Sequence, residues 1–227
     1  MQHQISDEVD WQPKEYTLEA GSHTLKWSYE KDDGGFEGLD CGWVDMVTFE
    51  AGTSGVPSGA GTEVEPYLIA TVEHLFWIAE QVNVNHNELS GVYFRQTNHI
   101  DLHGYEWIQI GGGIAGLRGF KGHYDGNGHT ISNLTILAAS DDEVGFFGRI
   151  MGGATIQNLG LVDVYINAVQ QHVGALVGLV NHGSTINGCF GTGNVTGANN
   201  VGGLFGTVYS SNVSDCYSIC TVDANSR

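Results

Sequence analysis

Basic residues are scarce in this chain. Its 227 residues include 8 Lys plus Arg against 26 Asp plus Glu, for a formal net charge of −18. So acidic a protein has no electrostatic footing on nucleic acid or on an anionic membrane surface, and neither is expected as a partner. Proline is almost missing, with 3 residues, and the 34 glycines follow no Gly-X-Y period, which excludes collagen. No apolar run approaches the roughly 18–20 residues that span a membrane. Met1 to Trp11 has neither a basic n-region nor an apolar core, so no signal peptide is expected in this chain. Both ends fall inside a pattern, which reads as an internal piece of a longer protein. The four cysteines, Cys41, Cys189, Cys216 and Cys220, form no CxxC pair, and their spacing dictates no disulfide framework. No HExxH occurs either, and with it goes that type of metallopeptidase centre.

What is present is glycine in an apolar background. Hydrophobic residues make up 41% of the chain, enough for a folded core rather than a disordered acidic tail. Glycine at this density, about twice ordinary usage, implies many tight turns and an all-β protein. Charge drains away along the chain. Residues 1–65 hold 14 acids and 3 bases, residues 66–143 hold 9 and 3, and residues 144–227 hold 3 and 2.

The nearly neutral tail is repetitive. Val173-Gly-Ala-Leu-Val-Gly178 recurs as Val201-Gly-Gly-Leu-Phe-Gly206 and, one residue shorter, as Val144-Gly-Phe-Phe-Gly148. A second landmark comes after each: Ile156-Gln-Asn-Leu159, Ile186-Asn-Gly-Cys189 and Val213-Ser-Asp-Cys216, with an earlier copy at Ile131-Ser-Asn-Leu134. Val195 and Val222 lie at equal distance after Cys189 and Cys216. The apolar bursts are too short for helices and alternate as strands do. One unit of about 28 residues cannot bury its own apolar side chains, whereas stacked units can, each about 4.8 Å above the last. The expected fold is a right-handed parallel β-helix of about five coils, with Ile131, Ile156, Ile186 and Val213 in one inward column. Asn and Gly at the corners suit the left-handed backbone of sharp turns.

These segments resemble the GLUG repeat of bacterial cell-surface and secreted proteins. The resemblance is carried by the Val-Gly-Gly-Leu-Phe-Gly segment and the Ile-x-x-Cys step after it. It covers residues 144–227, and Phe120 to Ile131 resembles the coil that precedes such repeats. The family occurs in adhesin-like chains and in the non-catalytic region of IgA-specific metallopeptidases. The resemblance therefore implies an extracellular or cell-surface location and speaks to architecture more than to activity.

Upstream, Pro66 to Ile69 reads as a short strand, and Thr71 as the N-cap of a helix over Val72–Asn83 with an apolar stripe at helical period. Such a helix would cover the open end of the stack, whose first coil is taken from Val92–Phe94 and Ile100–Leu102. Residues 51–65 read as a linker by composition. Residues 1–50 alternate as antiparallel strands and resemble the last strands of a jelly-roll sandwich, incomplete because such a domain needs on the order of 100 residues.

Several residues invite a chemical reading, each beside a structural one. Trp27, Trp43 and Trp107 are the candidates for stacking on a sugar, although Trp27 and Trp43 alternate as core residues do. Asp32, Asp33, Glu37 and Asp40 gather hard oxygen ligands on one loop and are the candidates for calcium, the only cofactor suggested; a solvated acidic loop is the competing reading. Asp125 in Asp-Gly-Asn-Gly lacks the second carboxyl a glycosidase needs and reads as a turn residue. His99 and His103 straddle a strand and a turn rather than one helix face, which argues against zinc. Cys189 and Cys216 occupy one position in successive coils and read as a ladder of small apolar residues with Leu134 and Leu159, rather than as a disulfide or metal site.

The leading functional expectation is a non-catalytic segment of a surface or secreted protein, acting as stalk or adhesion module toward a glycan or a host or neighbouring surface protein. The alternative is a polysaccharide lyase or hydrolase built on the β-helix, which would need three or more acids and bases on one face of adjacent coils. Ice binding would need a regular Thr array, and the Thr155, Thr185 column is broken by Asn212. The last coil is expected to expose Val213, Cys216 and Val222 and to self-associate or fray.

Overall fold

Strands of three or four residues bury nothing by themselves, and in this protein they do so by stacking. The structure, a computed structural model, describes residues 55–112, 118–138 and 142–224, all within the unit Gly52–Arg227. The expectations placed on residues 1–50, including Trp27, Trp43, Asp32, Asp33, Glu37 and Asp40, lie outside the described residues.

The fold is a parallel β-solenoid of about five turns with a single helix among the described residues. One face is a six-stranded sheet made of Tyr67–Ile69, Tyr93–Gln96, His123–Asp125, Thr155–Gln157, Thr185–Asn187 and Asn212–Ser214, in chain order. Its inward column runs Tyr67, Phe94, Tyr124, Ile156, Ile186, Val213, so successive turns take 27, 30, 32, 30 and 27 residues. From Phe94 to Ile186 that column is fully buried. A second sheet stacks Ile100–Asp101, Thr130–Ser132, Gly160–Ala168, Phe190–Gly197 and Tyr217–Ala224, with Thr135–Ala138 alongside the far half of Gly160–Ala168. Two short sheets close each later turn: Phe147–Ile150 with Val177–Val180 and Phe205–Val208, and Gln171–Gly174 with Asn199–Gly202.

The register corrects one alignment. Ile131 does not share the column of Ile156; it pairs with Ile100 and Leu161 in the second sheet, and Tyr124 takes the place expected of it. Leu134 is displaced in the same way, one residue before the Thr135–Tyr165 pair, so it does not stack under Leu159. The cause is local. Ile131-Ser-Asn-Leu and Ile156-Gln-Asn-Leu both encode a short strand, a left-handed Asn (φ 58° at Asn133, 53° at Asn158) and a buried Leu. The same corner chemistry serves two different corners of the turn, so matching tetrapeptides does not identify which corner is meant.

The two glycines of each Val-Gly-x-x-x-Gly segment are set by close approach. A Cβ on Gly178 would lie 2.4 Å from the Glu143 carbonyl carbon and 2.5 Å from the Val144 nitrogen, main-chain atoms of the turn before. On Gly206 it would lie 2.4 Å from the Val173 nitrogen, and on Gly174 it would lie 2.6 Å from the Gly206 nitrogen. Gly148, Gly178 and Gly206 are in register, and opposite them Gly174 pairs with Gly202. The repeat is therefore a glycine seam where the two short sheets meet backbone to backbone.

The helix, Val72–Asn83, buries Val72, Leu75, Ile78, Ala79 and Val82. Thr71 is its N-cap residue by backbone conformation but makes no side-chain cap bond. The helix does not precede the stack: Tyr67–Ile69 already pairs with Tyr93–Gln96, so it lies inside the first turn, in place of the strands that later turns use. No helix among the described residues is long and apolar enough to cross a membrane. Two polar arrangements are largely withdrawn from solvent. The Tyr124 hydroxyl donates to Gln96 Oε1 at 3.1 Å, while Gln96 Nε2 donates to the carbonyls of Asn98 and Thr130. Burial raises the Tyr124 phenol far above its ordinary range. Arg149 grips Glu143 through two guanidinium nitrogens, both side chains being largely buried.

Candidate functional site

Sequence alternation stops between Ile100–Asp101 and His123–Asp125, and a loop takes over from Leu102 to Ile110. Buried anchors hold both ends. Leu102 is fully buried and its N–H donates to the Ser132 carbonyl at 2.9 Å. Trp107 is 4% exposed, stacks on Phe146 with centroids 4.8 Å apart and planes 8° apart, and donates its indole N–H to the Phe146 carbonyl. Its ring belongs to the core, which removes Trp107 as a sugar-stacking surface. Asn83, at the helix end, clamps the far side of the loop: Nδ2 donates to the Gln109 carbonyl and Oδ1 accepts from the Gly111 N–H.

Between these anchors the loop presents His103, Tyr105 and Glu106 over a shallow depression of about 370 Å³, whose other wall is Asn133, Thr135 and Asp163. Tyr105 is half-buried with its ring against Phe76, and Glu106 and Asp163 are exposed. Asn133 and Asp163 are corner residues with left-handed backbones, φ 58° and 55°. Tyr165, exposed and in register with Thr135, continues the same wall onto the next turn. Sequence reasoning missed this grouping because it joins a loop to corners about 30 and 60 residues later, and only the turn length brings them together.

The acidic residues near this corner divide by use. Asp101 accepts the His103 N–H at 2.9 Å and Asn133 Nδ2 at 2.7 Å. The Asn133 amide first, then the backbone N–H, hold its carboxyl below the usual carboxylate range. Asp125 repeats the pattern one corner away, accepting from the Asn127 N–H and from Asn158 Nδ2, with Asn127 and Gly128 left-handed. Its in-register neighbours are Arg95 and Gln157, so no second carboxylate stands beside it in the sheet. Glu106 and Asp163 have no such bonds among the described residues; only the Asp163 N–H is engaged, by Thr192 Oγ1.

Histidines lace neighbouring turns together. His99 Nδ1 lies 2.9 Å from Thr130 Oγ1, His123 Nδ1 2.9 Å from Thr155 Oγ1, and His172 Nδ1 2.7 Å from Thr207 Oγ1. His103 stands apart in the loop. Burial lowers the His123 pKa, partly opposed by Glu63, and its ring stacks on Tyr93 at 4.3 Å. The Thr155–Thr185 column is flanked by His123 and Asn212, so no regular Thr array exists there. Leu159, Cys189 and Cys216 fall at one position in successive turns, next to the Gly160–Phe190–Tyr217 column. Both thiols are free; the Cys189 N–H donates to Cys216 Sγ, and burial pushes the Cys189 thiol up to about 12. Among the described residues no group of three or more His, Cys, Asp or Glu is arranged to hold a metal ion.

Known proteins resemble the chain in part. No family model matches it. It is 33% identical over 177 residues to halomucin of Haloquadratum walsbyi, across 73% of this chain and 2% of that protein. It is also 33% identical over 137 residues to a candidate Gly-rich membrane protein of Evansella cellulosilytica, across 57% of this chain and 15% of that one. The chain thus spans only a small fraction of the curated relatives it matches. Among solved structures, a candidate immunoglobulin A1 protease from Bacteroides ovatus superposes with a TM-score of 0.58 at 24% identity, covering 73% of this chain and half of the other. That likeness is one of fold.

Proposed function

We propose that this chain is a non-catalytic segment of a secreted or cell-surface protein, a β-solenoid stalk of GLUG-repeat type that also offers a binding face. The observation that carries the reading is the match of most of the chain to a 2% slice of halomucin, together with a second match to a small part of a Gly-rich membrane protein. A module of this size inside much longer proteins suits an extending element, and a solenoid extends by simple addition of turns. The glycine seam supports the GLUG assignment, because it gives the repeat's two glycines one steric reason in every turn. The test is surface labelling of intact source cells with a membrane-impermeant amine reagent, and then capture of the native full-length protein. Labelling before lysis is the expected outcome; labelling only after lysis overturns the proposal.

One observation favours a polysaccharide-active enzyme: His103, Glu106 and Asp163 line a single depression. Proton transfer at a glycosidic bond calls for carboxyls held at fixed separation in a site that excludes water. This depression is open and shallow and excludes none. Cleavage of a neutral polysaccharide, abolished by Glu106→Gln, would reverse the assignment.

A further inference from the structure

Asp101 and Asp125 show what a carboxylate at a solenoid corner does when its role is structural: each accepts a backbone N–H two residues on and an Asn amide from the next turn. Asp163 and Glu106 do neither; Asp163 holds a left-handed position, φ 55°, where the pairing with the next strand shifts register between Gly191 and Gly193. Both line the same depression, together with half-buried Tyr105 and with His103, Asn133 and Thr135. A carboxylate is acceptor-only and offers about four lone-pair sites, so it can take two adjacent hydroxyls at once. The loop that forms the rim is fixed by Leu102 and Trp107, so binding would order little that is not already ordered.

We infer that this depression binds a neutral oligosaccharide, with Glu106 and Asp163 accepting hydrogen bonds from sugar hydroxyls and Tyr105 supplying apolar ring surface. The inference rests on the reading of the segment as a surface module and names the ligand class of its binding face. A net charge of −18, with Asp101, Glu106 and Asp163 close together, disfavours uronate, sulfated and sialylated chains. Tyr165, one turn along the same wall, extends the contact to a second sugar ring.

The experiment uses the 227-residue chain on an array of neutral, uronate and sulfated oligosaccharides, with calorimetric titration of the best neutral binder. Asp163→Asn and Glu106→Gln keep shape and remove charge, and Asn tolerates the left-handed backbone. Each is expected to weaken neutral-glycan binding at least tenfold while the melting temperature stays within a degree or two of wild type. Preference for uronate or sulfated glycans, or neutral binding that both variants leave intact, overturns the inference. Absence of binding to any glycan overturns it too, and leaves the surface assignment to be judged by labelling alone.

Discussion

Gly178→Ala isolates what the repeat's glycines do. Gly178 has an ordinary φ, so alanine there meets no backbone penalty; its Cβ meets main chain instead, at 2.4 Å and 2.5 Å from Glu143 and Val144. Ordinary contact begins near 3.4 Å, so the two turns must part by about 1 Å. No side chain can swing aside to relieve it, and Gly148 and Gly206 flank the position in register. Overpacking typically costs about 1–3 kcal/mol, and a clash confined to backbone belongs at the upper end, about 3 kcal/mol. Gly183 is the matched control: its φ is +77°, and a Cβ there meets nothing within 4 Å. Alanine at Gly183 should lose only the left-handed penalty of about 1–2 kcal/mol. Urea titration monitored by far-UV circular dichroism compares the two, and hydrogen exchange over Phe147–Ile150 and Val177–Val180 locates the damage. If Gly178→Ala is no more destabilising than Gly183→Ala, close approach of the main chains does not require the glycine and the seam is wrong.

Three other perturbations test separate parts of the fold. Ile186→Asp places an unpaired charge in a fully buried column and should cost about 3–5 kcal/mol; melting at the wild-type temperature would remove Ile186 from the core. Arg149→Met strands the buried Glu143 carboxylate and should cost about 3–5 kcal/mol at pH 7, whereas adding Glu143→Gln should recover most of the loss in thermal melts. His123 titrates lower when folded than unfolded because of burial, so the unfolded chain binds its proton first. Its contribution is complete above the unfolded value near 6.5 and is lost as pH falls through the folded one; His123→Thr should flatten the decline in melting temperature from pH 7 toward pH 5.

The architecture was legible because stacking leaves a periodic trace: three landmarks recur in one order, and any inward column must keep its apolar residue at each pass. Helix limits were legible for the same reason, since Val72 to Asn83 carries one unbroken stripe. Register was harder. Ile131 was misplaced because a strand, a left-handed Asn and a buried Leu make up more than one corner of each turn, and local chemistry does not number the corners. The loop position of Trp107 leaves its burial open in the sequence, because its neighbours in space, Phe76 and Phe146, lie about 30 and 40 residues away. The depression was illegible, since it joins a loop to two corners about 30 and 60 residues later that only stacking brings together.

The scarcity of charge in residues 144–227 looks at first like evidence against chemistry, but register explains it without reference to function. In a parallel solenoid each outward side chain lies about 4.8 Å from its counterpart on the next turn, and like charges so placed repel. A repeat that kept Asp or Lys at one position would stack that charge on itself at every turn. The outward column Arg95, Asp125, Gln157, Asn187, Ser214 shows the permitted pattern: one opposite pair, then neutral groups, of which Asn187 donates to Ser214. Arg149 likewise has Leu179 as its in-register neighbour rather than another base. Charged groups free to meet a ligand must then sit where the ladder is interrupted. Glu106 sits on a loop outside the sheets, and Asp163 sits at the corner where the pairing of Gly160–Ala168 with Phe190–Gly197 shifts register. In this fold a functional site is to be sought at breaks in the repeat, and that is where the two uncommitted carboxylates of the depression stand.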